Sequence, residues 1–427
     1  MYHVEERSGS PAAESPRTWW HTRRAAATPA VLALGATSLV TDISSEMVTS
    51  VLPLYLVLHL QYSPVVFGAV DGLYQGGAAV SRLLGGLAAD RTARHRDVAA
   101  AGYALSALSR ILFLVVGRQT AGLIAVMGLD RVAKGLRTAP RDALISFNAA
   151  PNHVAAAFGV HRAMDTAGAA LGPLVTFAIL AALPRAYDVV FVTSFAIGIV
   201  GVGVLLTLVD NPPRPPAADP TPTRTSASPT RPGQRALVLA AALLGIVTIG
   251  DGLLYLALRQ RVQFDETYLP LLFVATPAVF MLLAIPAGRA ADRWGQARVV
   301  LLGYALLGGA YVAALTGPRH LVTVWVSIVF LGAYYAATDG VLMALASRLW
   351  PEGERAAGLA LVATTTGVAR VASGIGFGWL WATASIERAL GIYSIGLVLA
   401  VAVTMPLLAS LGRGHTALDH TTPDHAN

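Results

Sequence analysis

Long apolar runs broken by short polar stretches recur along the whole chain. A helix needs about 20 mostly apolar residues to cross a bilayer. By that measure twelve runs qualify: 31–58, 65–89, 98–116, 121–145, 155–183, 189–209, 236–258, 268–291, 299–315, 321–349, 356–381 and 390–411. After the sixth run comes a Pro-, Thr- and Ser-rich stretch carrying Pro212, Pro213, Pro215, Pro216, Pro220, Pro222, Pro229 and Pro232. Such a stretch cannot bury enough apolar area to fold and reads as a flexible linker. The pattern predicts an all-α membrane protein with twelve transmembrane helices in two pseudo-symmetric six-helix bundles. The predicted organisation is a polar tail at 1–29, a first bundle at 30–209, a linker at 210–235, a second bundle at 236–411 and a polar tail at 412–427. His415, His420 and His425 in the last segment are read as solvated rather than metal-binding.

Arginine placement predicts the orientation. Arg23 and Arg24 precede the first run, Arg91, Arg94 and Arg96 follow the second, and Arg293 and Arg298 follow the eighth. Arg214, Arg224, Arg231 and Arg235 are in the linker, and Arg355 follows the tenth run. The opposite breaks are sparser, with none in 61–64 and then Arg118, Arg185, Arg319 and Arg388; Arg259 and Arg261 are the exception. Positive residues are retained in the cytoplasm, so both termini and the linker are expected there, in the plasma membrane. The stretch 1–24 is polar, contains Pro11 and Pro16, and lacks the layout of a cleaved signal peptide.

Composition agrees with lipid as the main solvent. Hydrophobic residues are 55% of the 427 and charged residues 13%, against roughly 25% charged in soluble proteins. The net charge of +7 sits in short breaks between apolar runs rather than on one basic face, which argues against nucleic acid as a partner. With no cysteine, disulfides, thiolate catalysis and thiolate metal sites are excluded.

One loop signature occurs twice, half a chain apart. The first copy is Gly86-Leu87-Ala88-Ala89-Asp90-Arg91, followed by Arg94-His95-Arg96; the second is Gly288-Arg289-Ala290-Ala291-Asp292-Arg293. Glycine lets helices approach closely, a carboxylate at a helix end accepts backbone N–H groups, and the arginines can hold other carboxylates. With the six-plus-six layout and the linker, this doubled motif resembles the major facilitator superfamily over roughly 30–410. The resemblance implies that Asp90 and Asp292 form breakable cytoplasmic latches, with Gly86, Arg91, Arg94, Gly288 and Arg293 completing the gate. The first copy departs from the pattern with Ala93 in place of the usual glycine; the second has Gln296 and Ala297 in place of a dense basic run. Stretches 41–47, 130–142 and 161–166 resemble a prokaryotic subfamily.

A charge in mid-bilayer costs about 2.5–3.5 kcal/mol on insertion scales, so ionisable residues within apolar runs mark function or pairing. Asp42 and Glu46 are spaced i, i+4 on one helix face. Asp130, Lys134, Arg137 and Arg141 share a face of the fourth run, with Arg131 about a quarter-turn away. His161 and Asp165 share a face of the fifth; Asp71, Asp251, Asp339 and Arg370 lie in the second, seventh, tenth and eleventh. Lys134 is the one lysine of the chain. The run Arg131-Val132-Ala133-Lys134-Gly135 resembles the superfamily's fourth-helix Arg-x-x-Gln-Gly signature, with Lys134 in place of glutamine. The resemblance implies that Arg131 governs proton exchange at a partner carboxylate, Asp42, Glu46 or Asp165. Arg137, Arg141 and Asp142 read as structural ion pairs. Gly168, Gly172 and Pro173 resemble the Gly-Pro signature of drug exporters, without its following glycine pair. They read as a helix bend or a packing site.

Gly374-Ile375-Gly376-Phe377-Gly378 lies in an apolar run and reads as helix packing rather than a nucleotide loop. No phosphate-binding Gly-x-x-x-x-Gly-Lys loop, zinc-hydrolase histidine pair or nucleophile elbow is present. The expectation is therefore a monomeric, non-enzymatic secondary transporter without cofactor. Its partners would be a small solute, protons and the bilayer, and it would export an organic compound by proton antiport. The alternative is a divalent-metal or metal-chelate transporter using Asp42, Glu46, His161 and Asp165.

Overall fold

The computed structural model describes residues 28–76, 89, 94–149, 153–211, 231–351 and 354–416. Among these the chain is helical, and no strand occurs. The helices are α1 (Pro29–Pro53), α2 (Pro64–Gly76), α3 (His95–Val116), α4 (Thr120–Asn148), α5 (Val154–Ala182) and α6 (Tyr187–Leu208). They continue with α7a (Pro232–Ile246), α7b (Asp251–Val262), α8 (Leu269–Trp294), α9 (Gln296–Thr316), α10 (Leu321–Leu349), α11 (Arg355–Thr383) and α12 (Ile386–Thr416). Over the described residues, eleven of the predicted runs fall on one of these helices or on the α7 pair, and the run 65–89 does so as far as Gly76.

Ten helical segments among the described residues are long and apolar enough to cross a membrane. The other two predicted crossings are α2 and α4. Helix α2 is described only to Gly76. Helix α4 is 29 residues long, but its polar face lowers its hydropathy. That face is buried against α1, α2 and α3, so the helix carries charge without presenting it to lipid.

Local chemistry explains the helix ends. Thr28 caps α1 by accepting from Val31 N at 3.2 Å, and Pro29 occupies the first turn, where its missing N–H costs nothing. After Pro53 the last turn of the first crossing widens into a π-helical segment, Leu54–His59, as helices do where proline removes a donor from the ladder.

Two boundaries differ from the sequence-based expectation. The second half begins at Pro232, inside the predicted linker, where Arg231 N donates to Gln234 Oε1 at 2.8 Å. Helix α12 runs on to Thr416, past the expected end at 411.

Small residues set the packing. Gly168 and Gly172 bring α5 onto α1, Gly201 brings α6 onto α1, and Gly303 brings α9 onto α10. The α1–α6 contact is closed by reciprocal bonds, with Ser44 Oγ donating to Ser194 O at 2.7 Å and Ser194 Oγ to Ser44 O at 2.6 Å. Such close polar seams are how helices associate when lipid supplies no hydrophobic drive. Large apolar side chains such as Leu282, Ile285, Ile395 and Val398 are exposed on the outside, the surface a bilayer solvates.

The first six helices meet the last six along α2–α11 and α5–α8. On the first seam a Cβ built on Gly68 would lie 2.0 Å from Gly374 O, and one on Gly378 would lie 2.2 Å from Pro64 O. The glycine-rich stretch of α11 is therefore helix packing, as its apolar context implies. On the second seam Phe177 stacks on Tyr268 at 5.8 Å, and Arg185 pairs with Glu266 at 3.1 Å. Glu266 also holds Arg259 at 3.2 Å. Beside this latch the backbone N–H of Thr267 donates to Asp265 at 2.8 Å and holds that carboxyl below its usual range. All these contacts lie at the end carrying the 61–63 and 183–186 connections. At the other end of α8, Asp292, Arg293 and Trp294 are exposed.

Candidate functional site

The polar face of α4 is the frame of the site. Gly102 lets α3 approach so closely that a Cβ there would meet Arg137 N at 2.8 Å. This proximity inserts Arg110 of α3 beside Asp130, at 3.0 Å, with side chains 4% and 11% exposed. Arg110 also donates to Ser45 at 2.8 Å and to Ser106 at 2.7 Å, while Ser106 and Ser109 donate to the same Asp130 oxygen at 2.9 and 3.2 Å. Asp130 pairs as well with its neighbour Arg131. The pair is thus held by a shell of hydroxyls that satisfies the remaining lone pairs, which a buried ion pair requires.

The structure redraws the expected pairing of Asp42. Its cation is Arg137, at 3.3 Å, and not Arg131. Arg131 points a quarter-turn away, as its position predicts; its guanidinium lies 3.7 Å from the ring centre of Tyr74 and donates to Tyr74 O at 3.4 Å. Arg137 is covered on its other side by the ring of Tyr103, 4.7 Å away. Arg141 contacts Asp142 at 2.9 Å and Asp165 at 3.7 Å, so the structural pairing expected of it extends to α5. His161 is bonded to Ser38 at 2.8 Å, and Asp165 lies within hydrogen-bonding reach of Asp42. Glu46, one turn beyond Asp42, lies beside Lys134 and Arg131.

The second cluster surrounds a break in the seventh predicted run. The expectation of one helix over 236–258 is corrected here: α7a ends at Ile246 and α7b starts at Asp251. Side chains far away in sequence satisfy the freed backbone groups. Ile249 N donates to Tyr311 Oη at 2.6 Å, Tyr311 Oη donates to Val247 O at 3.2 Å, and Ser373 Oγ donates to Thr248 O at 2.8 Å. Irregular backbone at this depth persists only where protein supplies such partners. Asp251 accepts from Tyr335 Oη at 2.6 Å. Arg370 donates to Tyr334 Oη at 3.2 Å. Asp339 is exposed to a hollow of about 130 Å³ that Tyr304, Tyr334 and Arg370 also line.

Between the two clusters lies a cavity of about 200 Å³. Glu46 and Thr49 of α1, Asp71 and Tyr74 of α2, Asp251 and Tyr255 of α7b, and Phe273 of α8 face it. The structure thus brings together Asp42, Glu46, Arg131, Lys134, His161 and Asp165 on one side, and Asp251, Asp339 and Arg370 on the other. Sequence reading missed Arg110, for which a lone arginine inside an apolar run was the available signal. It also missed Tyr74, Tyr334 and Tyr335, for which there was none.

Gly168 and Gly172 act as packing glycines. A Cβ at Gly172 would lie 2.7 Å from Ile43 O and 2.8 Å from Glu46 Cβ, so they fix α5 against the acidic face of α1. Pro173 lies within α5, which is helical throughout from Val154 to Ala182. Of the gate residues, Gly86, Asp90 and Arg91 lie outside the described residues. Arg94 precedes α3, largely exposed and 4.0 Å from Asp97. Among the described residues nothing lies within 4 Å of a Cβ built on Gly288, where a close approach was expected.

The Major Facilitator Superfamily profile matches residues 34–374 and 252–418. An uncharacterized MFS-type transporter of Methanocaldococcus jannaschii is 25% identical over 358 residues, 82% of this chain and 88% of that one. An uncharacterized protein of Mycobacterium tuberculosis is 26% identical over 388 residues, 89% of this chain and 90% of that one. Among solved structures, the nucleoside transporter NupG superposes with a TM-score of 0.72 at 16% identity, covering 88% of this chain and 98% of its own. A POT family transporter in complex with a thioalcohol-conjugated peptide gives 0.71 at 13% identity, covering 89% and 96%. Likenesses at this identity concern the fold.

Proposed function

The chain belongs to the Major Facilitator Superfamily and is a multi-pass membrane transporter, and we propose that it exports a small organic solute across the plasma membrane by proton-coupled alternating access. The observation that carries this reading is the cavity between α1, α2, α7b and α8, faced by carboxylates from both halves of the chain. The broken α7 beside it supports the same reading, since discontinuous helices build mid-membrane substrate sites in transporters. Twelve crossings arranged as 30–209 and 236–411, joined by a cytoplasmic linker, would place the tight glycine seam on the outer side. The described conformation would then be closed outward.

Proton exchange is assigned to Asp42, with Arg137 as its conformational partner in place of Arg131. Asp42 touches both a cation on α4 and a carboxyl on α5, so rearrangement of either helix changes the cost of its charge. In liposomes with an imposed pH gradient and a panel of labelled solutes, Asp42→Asn is expected to lower gradient-driven accumulation about tenfold or more, equivalent to removing at least ~1.4 kcal/mol of coupling. Solute exchange at equal pH should persist. Full gradient-driven accumulation by Asp42→Asn removes Asp42 from the mechanism.

The divalent-metal alternative finds no support in the donor set. Among the described residues no group of three or more His, Asp or Glu side chains converges to hold an ion, and Asp42, His161 and Asp165 are engaged by Arg137, Ser38 and Arg141. For topology, reporter domains fused after Asn427 and within 210–235 should both give cytoplasmic signals. A signal from the opposite side at either position overturns the assignment of sides.

A further inference from the structure

We propose that the central cavity binds a small organic cation, with Asp71 as the carboxylate that selects its charge. The inference rests on the transporter reading for its context and on the cavity for its chemistry. The buried charges of α1, α3, α4 and α5 balance among themselves. Asp42, Glu46, Asp130, Asp142 and Asp165 stand against Arg110, Arg131, Lys134, Arg137 and Arg141. Around the break in α7 the balance fails, since Asp71, Asp251 and Asp339 have Arg370 as their one nearby cation among the described residues. That cation is shared among the three and lies off the cavity wall, where it donates to Tyr334.

Asp71 is the sharpest case. Its carboxylate is wedged against the start of α7b, where a Cβ on Gly250 would lie 1.7 Å from Oδ2 and one on Gly252 3.1 Å from Oδ1. Yet Oδ2 is buried without a hydrogen-bond partner among the described residues. That oxygen is closed off by α7b, so a ligand in the cavity would meet the carboxylate from its remaining exposed side, where an opposite charge offsets the cost of burying it. The same wall presents the rings of Tyr255 and Phe273, the Tyr74 ring being already covered by Arg131, and aromatic faces attract cations once water is excluded. At about 200 Å³ the space is below the roughly 300–1,000 Å³ that drug-sized ligands fill. It suits an amine or quaternary ammonium head.

The test uses three ligands with one ring and different charge, namely the 1-methylnicotinamide cation, neutral nicotinamide and anionic nicotinate, together with tetraethylammonium. Thermal unfolding of the full-length purified protein is followed with each. A cation is expected to raise the melting temperature by about 5 °C near saturation, with nicotinamide and nicotinate without effect. Asp71→Asn should abolish the shift while melting no lower than wild type without ligand, because it removes an uncompensated charge. Glu46→Gln should weaken the shift as a second variant. Neither cation binding, the neutral or anionic ligand binding as well, or an Asp71→Asn protein that keeps the cation shift each overturns the proposal. Gradient-driven uptake of the same four compounds, measured separately, tests the transporter reading. Cation binding without uptake leaves the site standing and removes the transport assignment, whereas uptake of nicotinate or nicotinamide alone does the reverse.

Discussion

Asp130→Ala is expected to destabilise the folded protein by about 3–5 kcal/mol, the cost of leaving a buried charge without its partner. Two arginines depend on this carboxylate. Arg110 lies 3.0 Å from it with 4% of its side chain exposed, and Arg131 contacts its other oxygen. The Ser106 hydroxyl that now donates to Asp130 would also lose its acceptor, whereas Ser109 keeps the Ser106 carbonyl at 2.7 Å. In detergent the melting temperature should fall by about 10 °C, or the variant should fail to fold. Asp130→Asn should lose less, since the amide oxygen still accepts from the serines. An Asp130→Ala protein melting within a degree or two of wild type would show that water reaches this pair and solvates the arginines.

Gly68→Leu should abolish transport while leaving the fold intact. The Cβ it adds would sit 2.0 Å from Gly374 O, a backbone atom that can give way only if α2 and α11 separate. Separation at this seam is what opening of that end of the molecule requires, so the variant would be held in the opposite state. Turnover in liposomes should fall at least about tenfold, as expected when the closed state is disfavoured by more than ~1.4 kcal/mol. Gly203→Ala, at a position with nothing within 4 Å among the described residues, serves as the control and should transport normally. Wild-type turnover in Gly68→Leu would mean that the α2–α11 seam is not a moving part.

Local pattern carried most of the fold and little of the pairing. The described parts of the apolar runs are helical because a chain in lipid must satisfy its backbone polar groups within itself, and run length and hydropathy are properties of consecutive residues. The ionisable residues of the candidate site were visible for the same reason, as charges inside runs that should hold none. Which of them meet was not visible. Lys134, Arg137 and Arg141 lie on one face of α4 and each offers a cation that would suit Asp42. Helix rotation, fixed by contacts such as Gly102 against Arg137 N, turned Arg137 to Asp42 and Arg131 to Tyr74. The break in α7 was hidden likewise, because the hydroxyls of Tyr311 and Ser373 that hold it come from α9 and α11. The sequence by itself determined helicity, the positions of the buried charges and the existence of a polar interior. Tertiary structure alone decided the partners of those charges, the break in α7 and the carboxylate-lined cavity, because each joins residues from helices whose rotation and approach are set by packing.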